Sequence, residues 1–341
     1  MPRKLTVTRG LTLELPLFIP VYRPNFTLTT LQAWSGNPEI RGCIVNSFFL
    51  YKDREIRTRF KKEQHTLHEH IGFDGLICTD SGAFQGFKRR LYLENKKIIR
   101  FQDSIKSDVA APLDLITPPW DKRSVAEQKL RTTQKRTRQG LEIVQHSLMA
   151  GIQQGGRFMD LRHQSVCELV EMGVPYLGIG SLVPFFNRDH DLSFVGQVIR
   201  DARQEAGPDK PMHIYGAGDP LELPFMAACG ADIFDSSSYA HYAKDGWYMT
   251  PYGALSDLGP VLAGEYQCDC PHCSEIGPES TKADEEKLAV HNLWTICTTV
   301  EKIRTALAED TLSKMLAALL SRHQNWFPDS RLPETWHQLN E

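Results

Sequence analysis

Four residues have the types and spacing of a metal centre. Cys268, Cys270 and Cys273 form C-x-C-x-x-C, and His291 follows in a stretch of helical periodicity. Three thiolates and one imidazole satisfy a tetrahedral Zn²⁺, and a closed four-ligand site is structural because no coordination position is left for a substrate. His272 is a competing ligand inside the cluster, but its adjacency to Cys273 makes tetrahedral closure awkward. The other cysteines, Cys43, Cys78, Cys167, Cys229 and Cys297, sit singly in apolar or mixed segments and read as packed, reduced thiols. A second chemistry rests on carboxylates. Asp80, Asp114 and Asp235 each lie at or near the end of an apolar run. Two carboxylates facing one anomeric carbon can cleave and remake a glycosidic bond with retention, one attacking the sugar while the other shuttles the proton. Ser236, Ser237 and Ser238 directly follow Asp235, but no G-x-S-x-G elbow surrounds them, which argues against a serine hydrolase.

The elements that must position these groups are short β-branched runs separated by helical segments. The runs are 17–22, 42–47, 75–80, 110–117, 150–155, 175–180, 212–216 and 231–235. Helical periodicity is found over Ser124–Leu148, Met159–Met172, Leu192–Ala206 and Leu221–Ala228. Eight strand–helix units predict a closed α/β fold, a (β/α)₈ TIM barrel, in which chemistry sits at the C-terminal ends of the strands. Polar residues stand there almost every time: Asn46 and Ser47, Asp80 and Ser81, Asp114, Gln154, Ser181 and Asp235. The expected division is a barrel over 1–260, a zinc-binding subdomain with its following helix over 261–310, and a C-terminal helix and polar tail over 311–341. A long helix is expected from about Lys282 to Leu307.

Composition narrows the class without choosing a partner. Of 341 residues, 41% are hydrophobic and 24% charged, the balance of an ordinary globular protein with a sizeable core. The formal net charge of −3 means that a polyanion has to be met by a local basic face. The first residues lack a secretory leader's apolar core, and no apolar run is long enough for a membrane helix, so a cytoplasmic protein with no membrane partner is expected.

The segments TDSGAFQGF, SDVAAPLDLITPP, GIQQGGRFMDLR, YLGIGSLVPF, HIYGAGDP, FDSSSYAHYAKDGWYMTP and CDCPHC with VHNLWTI resemble, in order, the motifs of the tRNA-guanine transglycosylase family. The likeness runs over about residues 15–305 and is greatest to the archaeal branch. It implies a (β/α)₈ barrel with a zinc subdomain, and a pentosyltransferase reaction that replaces guanine by a 7-deazaguanine without cutting the backbone. By this resemblance Asp235 is the nucleophile and Asp80 the general acid and base. Ser81, Asp114, Gln154 and Gly155 match positions that recognise the purine edge, Phe84 matches an aromatic that stacks on its face, and Tyr215 is a candidate for the opposite wall. A carboxylate such as Asp114 can accept from the N1–H and exocyclic amine of guanine, while O6 needs donors such as a glutamine amide. Where the bacterial branch has paired glycines before leucine, this chain has Ser181 and Leu182 in the loop that meets the 7-substituent. The archaeal-like motif favours the 7-cyano base.

The polymer is either DNA or tRNA. Archaeal enzymes of this type continue into RNA-binding domains, whereas this sequence ends at Glu341, so the expectation favours DNA, with tRNA as the alternative and a noncatalytic transglycosylase-like subunit as a further reading. A homodimer partner or proteins of a modification system fit either polymer. Lys122, Arg123, Lys129, Arg131, Lys135, Arg136 and Arg138, with Lys88, Arg89, Arg90, Lys96, Lys97 and Arg100, offer a basic surface for phosphates.

Overall fold

A computed structural model describes residues 3–35, 37, 40–83, 93–186, 191–271, 273 and 285–341. Eight parallel strands close into a barrel, each pairing with the next along the chain and the last with the first. They are β3 (Leu17–Tyr22), β4 (Gly42–Asn46), β5 (Leu76–Asp80), β6 (Val109–Ala110), β7 (Leu148–Gln153), β8 (Tyr176–Ile179), β9 (Met212–Ile214) and β10 (Ile233–Ser236). The predicted runs are therefore the barrel strands, with one marked difference. Of the run 110–117 only Ala110 lies in the sheet, in the two-residue strand Val109–Ala110, because Pro112 has no N–H to donate to a ladder, and Asp114 lies four residues beyond the strand.

Alternation along each strand sorts side chains to opposite faces of the barrel wall. Leu17, Ile19, Ile44, Leu76, Cys78, Val109, Ala150, Ile152, Tyr176 and Ile233 form one buried cluster inside the barrel. Phe18, Cys43, Val45, Ile77, Leu177, Ile179 and Phe234 belong to the outer core beneath the helices. Asp80 and Asp235 share the parity of the inner set, so the alternation that fills the barrel also aims these carboxylates into its mouth.

Two short strands, β1 (Lys4–Thr6) and β2 (Thr12–Glu14), pair as an antiparallel hairpin at the opposite end. Leu5, Val7 and Leu15 join the inner cluster. Arg3 reaches Asp232 at 2.5 Å and Arg9 reaches Asp108 at 2.7 Å, so the hairpin is pinned to residues that precede β10 and β6.

The expected helix over 124–148 spans Arg123–Leu141 and leaves a loop before β7. After β10, the helix Ser238–Lys244 packs on the long helix Glu285–Ala308, whose Ala289, Leu293, Ile296, Val300 and Ile303 are buried at helical spacing. The expected start of that helix at Lys282 lies outside the described residues. The C-terminal segment holds two helices, Leu312–Trp326 and Leu332–Asn340, where one helix and a polar tail were expected. Pro333 fits the first turn of the second, and Leu332, Thr335 and Leu339 bury one face.

Candidate active site

Asp80 is the last residue of β5. Its Oδ2 accepts from Asn46 Nδ2 at 2.8 Å and its Oδ1 from the Gly82 amide at 2.6 Å. Asn46 has two tasks, since its Oδ1 also caps the helix Ser47–Lys52 by accepting from the Phe48 amide. Burial pushes the Asp80 carboxyl up to about 7, helped by the negative charges of Asp114 and Asp235 and opposed by the Gly82 and Asn46 hydrogen bonds. This is the range of an acid that can give and take a proton near neutrality.

Asp235 lies across the barrel on β10. Its Oδ1 meets His213 Nε2 at 2.8 Å and accepts from the Gly216 amide at 3.1 Å. Gly216 has φ of 80°, a left-handed conformation suited to glycine, which directs its amide at the carboxylate. His213 Nδ1 in turn lies 2.9 Å from the Tyr176 hydroxyl, so a buried chain of side chains stands behind Asp235. His213 and Tyr176 were not singled out from the sequence. The signal is register: His213 pairs with Ile233, two residues before Asp235, and shares its inward parity.

Of the three serines, Ser236 Oγ accepts from the Ser238 amide and Ser238 Oγ donates to the Gly218 carbonyl. Those two hydroxyls are occupied in holding the turn beside Asp235.

Asp114, Gln154 and Ser181 are brought together from three loops. Gln154 Nε2 donates to Asp114 Oδ2 at 2.7 Å, Ser181 Oγ donates to Gln154 Oε1 at 2.7 Å, and the Thr117 amide donates to Ser181 Oγ at 2.9 Å. The relay fixes the glutamine amide, with its nitrogen toward the carboxylate. Burial raises Asp114 to about 6, against the opposing hydrogen bond from Gln154. Ser81 is buried and its Oγ has no hydrogen-bond partner among the described residues, which leaves a polar group for a ligand to satisfy. Leu182 is fully buried, and Ser181 has a φ of 60°. Tyr215 packs against His213 with ring centroids 4.1 Å apart, and a Cβ at Gly178 would collide with its ring. Phe84 lies outside the described residues.

Arg162 is a further group that sequence reasoning missed. Fully buried, it donates to the carbonyls of Gly156 and Gly180 at 2.7 and 3.1 Å and to Gln153 Oε1 at 3.2 Å. A Cβ at Gly155 would lie 2.8 Å from its backbone nitrogen, so Gly155 provides the room for this packing. Burial lowers the guanidinium to about 9, and the bonded carbonyls tie the loop after β7 to the end of β8. It stands on the helix Met159–Glu171 among Leu161, Ser165, Val166 and Leu169, where a charged residue on the buried face is the only sequence signal.

Cys268, Cys270, Cys273 and His291 bring their ligand atoms within 4.8 Å of one another. His291 Nε2 lies 2.8 Å from the Met249 carbonyl, a contact that fixes the proton on Nε2 and leaves Nδ1 facing the three sulfurs at 3.1–3.5 Å. Met249 belongs to β11 (Tyr248–Thr250), which forms a hairpin with β12 (Gly253–Leu255). Tyr248 stacks on the imidazole with centroids 3.7 Å apart. The donor set and the fixed tautomer fit a tetrahedral metal; His272 lies outside the described residues.

The basic surface is smaller than the sequence count. Arg136 turns inward to the Leu113 carbonyl, Lys129 binds the Ile116 carbonyl and the Asp121 carboxylate, and Arg123 pairs with Asp160. Lys97 pairs with Glu94. Lys122, Arg131, Lys135 and Arg138 stay exposed, as do Lys96 and Arg100, while Lys88, Arg89 and Arg90 lie outside the described residues. No described helix is long and apolar enough to cross a membrane.

The sequence pattern of the family described as queuine tRNA-ribosyltransferase matches residues 3–325. Among curated relatives, a tRNA-guanine(15) transglycosylase of Pyrococcus furiosus is 33% identical over 97% of this chain and 57% of its own length. Proteins of the same description from Thermococcus kodakarensis and Methanopyrus kandleri are 35% and 32% identical, each over 92% of this chain and over 53% and 68% of their own lengths. The chain thus spans roughly half to two thirds of the relatives it matches. A match over nearly the whole chain, on a closed barrel of the expected architecture, places this protein in the queuine tRNA-ribosyltransferase family.

Proposed function

We propose that the chain is a guanine transglycosylase that exchanges a guanine of tRNA for a 7-deazaguanine through a covalent aspartyl-sugar intermediate. The observation that carries this reading is the convergence of Asp80 and Asp235 at one barrel mouth in different surroundings: Asp235 is held by His213 and the Gly216 amide, and Asp80 is pushed up to about 7. In the first step an Asp235 oxygen forms a bond to C1′, the C1′–N9 bond breaks, its electron pair leaves with guanine, and the Asp80 carboxylic acid supplies the proton. In the second step Asp80, now a carboxylate, takes the N9 proton of the incoming base, whose nitrogen displaces Asp235 from C1′. Two displacements retain the configuration of the sugar.

Asp114 accepts from the N1–H and amine of the purine, Ser81 and Gln154 offer polar groups to its edge, and Gly155 lets the backbone approach it. Tyr215 covers one face of the base, and the family resemblance assigns the stacking aromatic to Phe84. The archaeal-type turn at Ser181 and Leu182 supports 7-cyano-7-deazaguanine as the incoming base. The relatives, each described as a tRNA-guanine(15) transglycosylase, support tRNA over the DNA favoured from the sequence. Cys268, Cys270, Cys273 and His291 would hold Zn²⁺, which supplies a closed structural cross-link between the β11–β12 hairpin region and the long helix.

Incubation with labelled guanine and either tRNA or duplex DNA tests the reading. Label is expected in tRNA, and Asp235→Ala is expected to take up none. Label in DNA alone, or undiminished exchange by Asp235→Ala, would overturn it.

A further inference from the structure

The loop between β6 and the helix Arg123–Leu141 carries more than Asp114. Trp120, six residues beyond it, is 71% exposed, more than any other large apolar side chain among the described residues. A tryptophan left in water forgoes the burial that makes this residue stabilising. The exposure is built in by a braced loop. The Leu115 amide donates to Thr133 Oγ1 at 3.0 Å, the Asp121 amide to the Pro118 carbonyl at 3.1 Å, and Lys129 Nζ joins the Ile116 carbonyl at 2.8 Å to the Asp121 carboxylate at 2.6 Å. Pro118 and Pro119 fix φ immediately before the ring.

The same loop is bonded to the purine pocket. Thr117 donates to Ser181, Ser181 to Gln154 and Gln154 to Asp114, so Trp120 stands three residues from the first member of that relay. Cations flank it. Lys122 is exposed two residues on, and the exposed Arg157 follows Gly156, whose backbone packs against Thr117. A rigid, solvent-facing aromatic beside basic side chains at the rim of a base pocket is suited to an unpaired base, whose π-face stacks without sequence readout while its phosphate meets the cations.

We propose that Trp120 is a stacking platform for an unpaired nucleotide of the RNA substrate flanking the exchanged guanine, with Lys122 and Arg157 meeting its phosphate. The proposal rests on the tRNA reading above, and binding separates the two. With the full chain, anisotropy of labelled single-stranded oligouridylate should show Trp120→Ala weakened about tenfold and Trp120→Phe within about twofold of wild type. In guanine exchange, Trp120→Ala should raise KM for tRNA by a similar factor and leave kcat and KM for guanine unchanged. Unaltered oligouridylate affinity of Trp120→Ala would overturn the platform, as would a loss confined to a single-stranded DNA of the same length. If wild type binds oligouridylate through Trp120 but exchanges no guanine, the transglycosylase reading falls and the platform stands.

Discussion

The two ends of the barrel use aspartates in opposite ways. At the N-terminal end Asp232 meets Arg3 and Arg203, each at 2.5 Å, and Asp108 meets Arg9 at 2.7 Å with His68 at 3.3 Å. At the mouth, Asp80 is held by an amide and an asparagine, and Asp114 by a glutamine. The electrostatic outcome differs at Asp108, whereas burial raises Asp232 in spite of Arg203 and Arg3. Burial works to raise Asp108, yet its His68, Arg9 and Ile77 contacts outweigh that and hold it below its ordinary value, whereas Asp80 and Asp114 are raised to about 7 and about 6. Both ends belong to the same strands, since Asp108 precedes β6 and Asp114 follows it, while Asp232 precedes Ile233 of β10 and Asp235 lies within it. Carboxylates paired with arginine fasten the closing hairpin, and carboxylates with no direct guanidinium or ammonium partner among the described residues are left able to exchange protons.

The contrast is tested first where the expected effect is largest. Asp108→Ala removes the buried partner of Arg9 and His68 and is expected to lower stability by about 3 kcal/mol in denaturant titration, while exchange per folded molecule stays near wild type. A loss of exchange without loss of stability would erase the distinction between the ends. Asp80→Asn should do the reverse. A carboxyl raised from 3.8 to about 7 contributes stability that is full below its unfolded value and lost as pH rises through the folded one. That shift corresponds to roughly 4 kcal/mol at pH 8, and an Asn that cannot accept both the Gly82 and Asn46 hydrogen bonds offsets part of it, so the substitution should stabilise the protein by about 1–2 kcal/mol at pH 8, with the gain vanishing toward pH 4, and abolish exchange. In the proposed reaction the same carboxyl carries the proton that guanine takes as it leaves, so the rate of adduct formation should fall about tenfold per pH unit above about 7. A flat profile there would remove Asp80 from the acid role. The smallest effect is expected from Asn46→Ala, which deletes a hydrogen bond that favours the carboxylate and should move this pH limb upward by a few tenths of a unit, with about 1 kcal/mol lost from the helix cap.

The barrel and its mouth were legible because polar residues ending apolar runs have one topological meaning in a parallel barrel, and Asp80 and Asp235 stand where that rule puts them. The cysteine spacing was equally direct, and the partner that orients His291, the Met249 carbonyl, was not, since a backbone group leaves no mark in a sequence. His213 was hidden for a different reason: inside a short apolar run it reads as filler until the register sets it beside Asp235. Arg136 and Lys129 read as phosphate contacts because charge counts carry no direction, and the fold turns both onto carbonyls of the Asp114 loop. The helix Leu332–Asn340 was read as a tail because its buried face is a sparse set, Leu332, Thr335 and Leu339.

The proposed reaction bonds Asp235 to the sugar. Wild-type chain mixed with tRNA, quenched in denaturant and digested should yield a ribonucleotide-linked peptide whose modified residue is Asp235, and Asp235→Asn should yield none. A linkage mapped to Asp80, to Ser236, Ser237 or Ser238, or an adduct that persists in Asp235→Asn, would rule out Asp235 as the nucleophile.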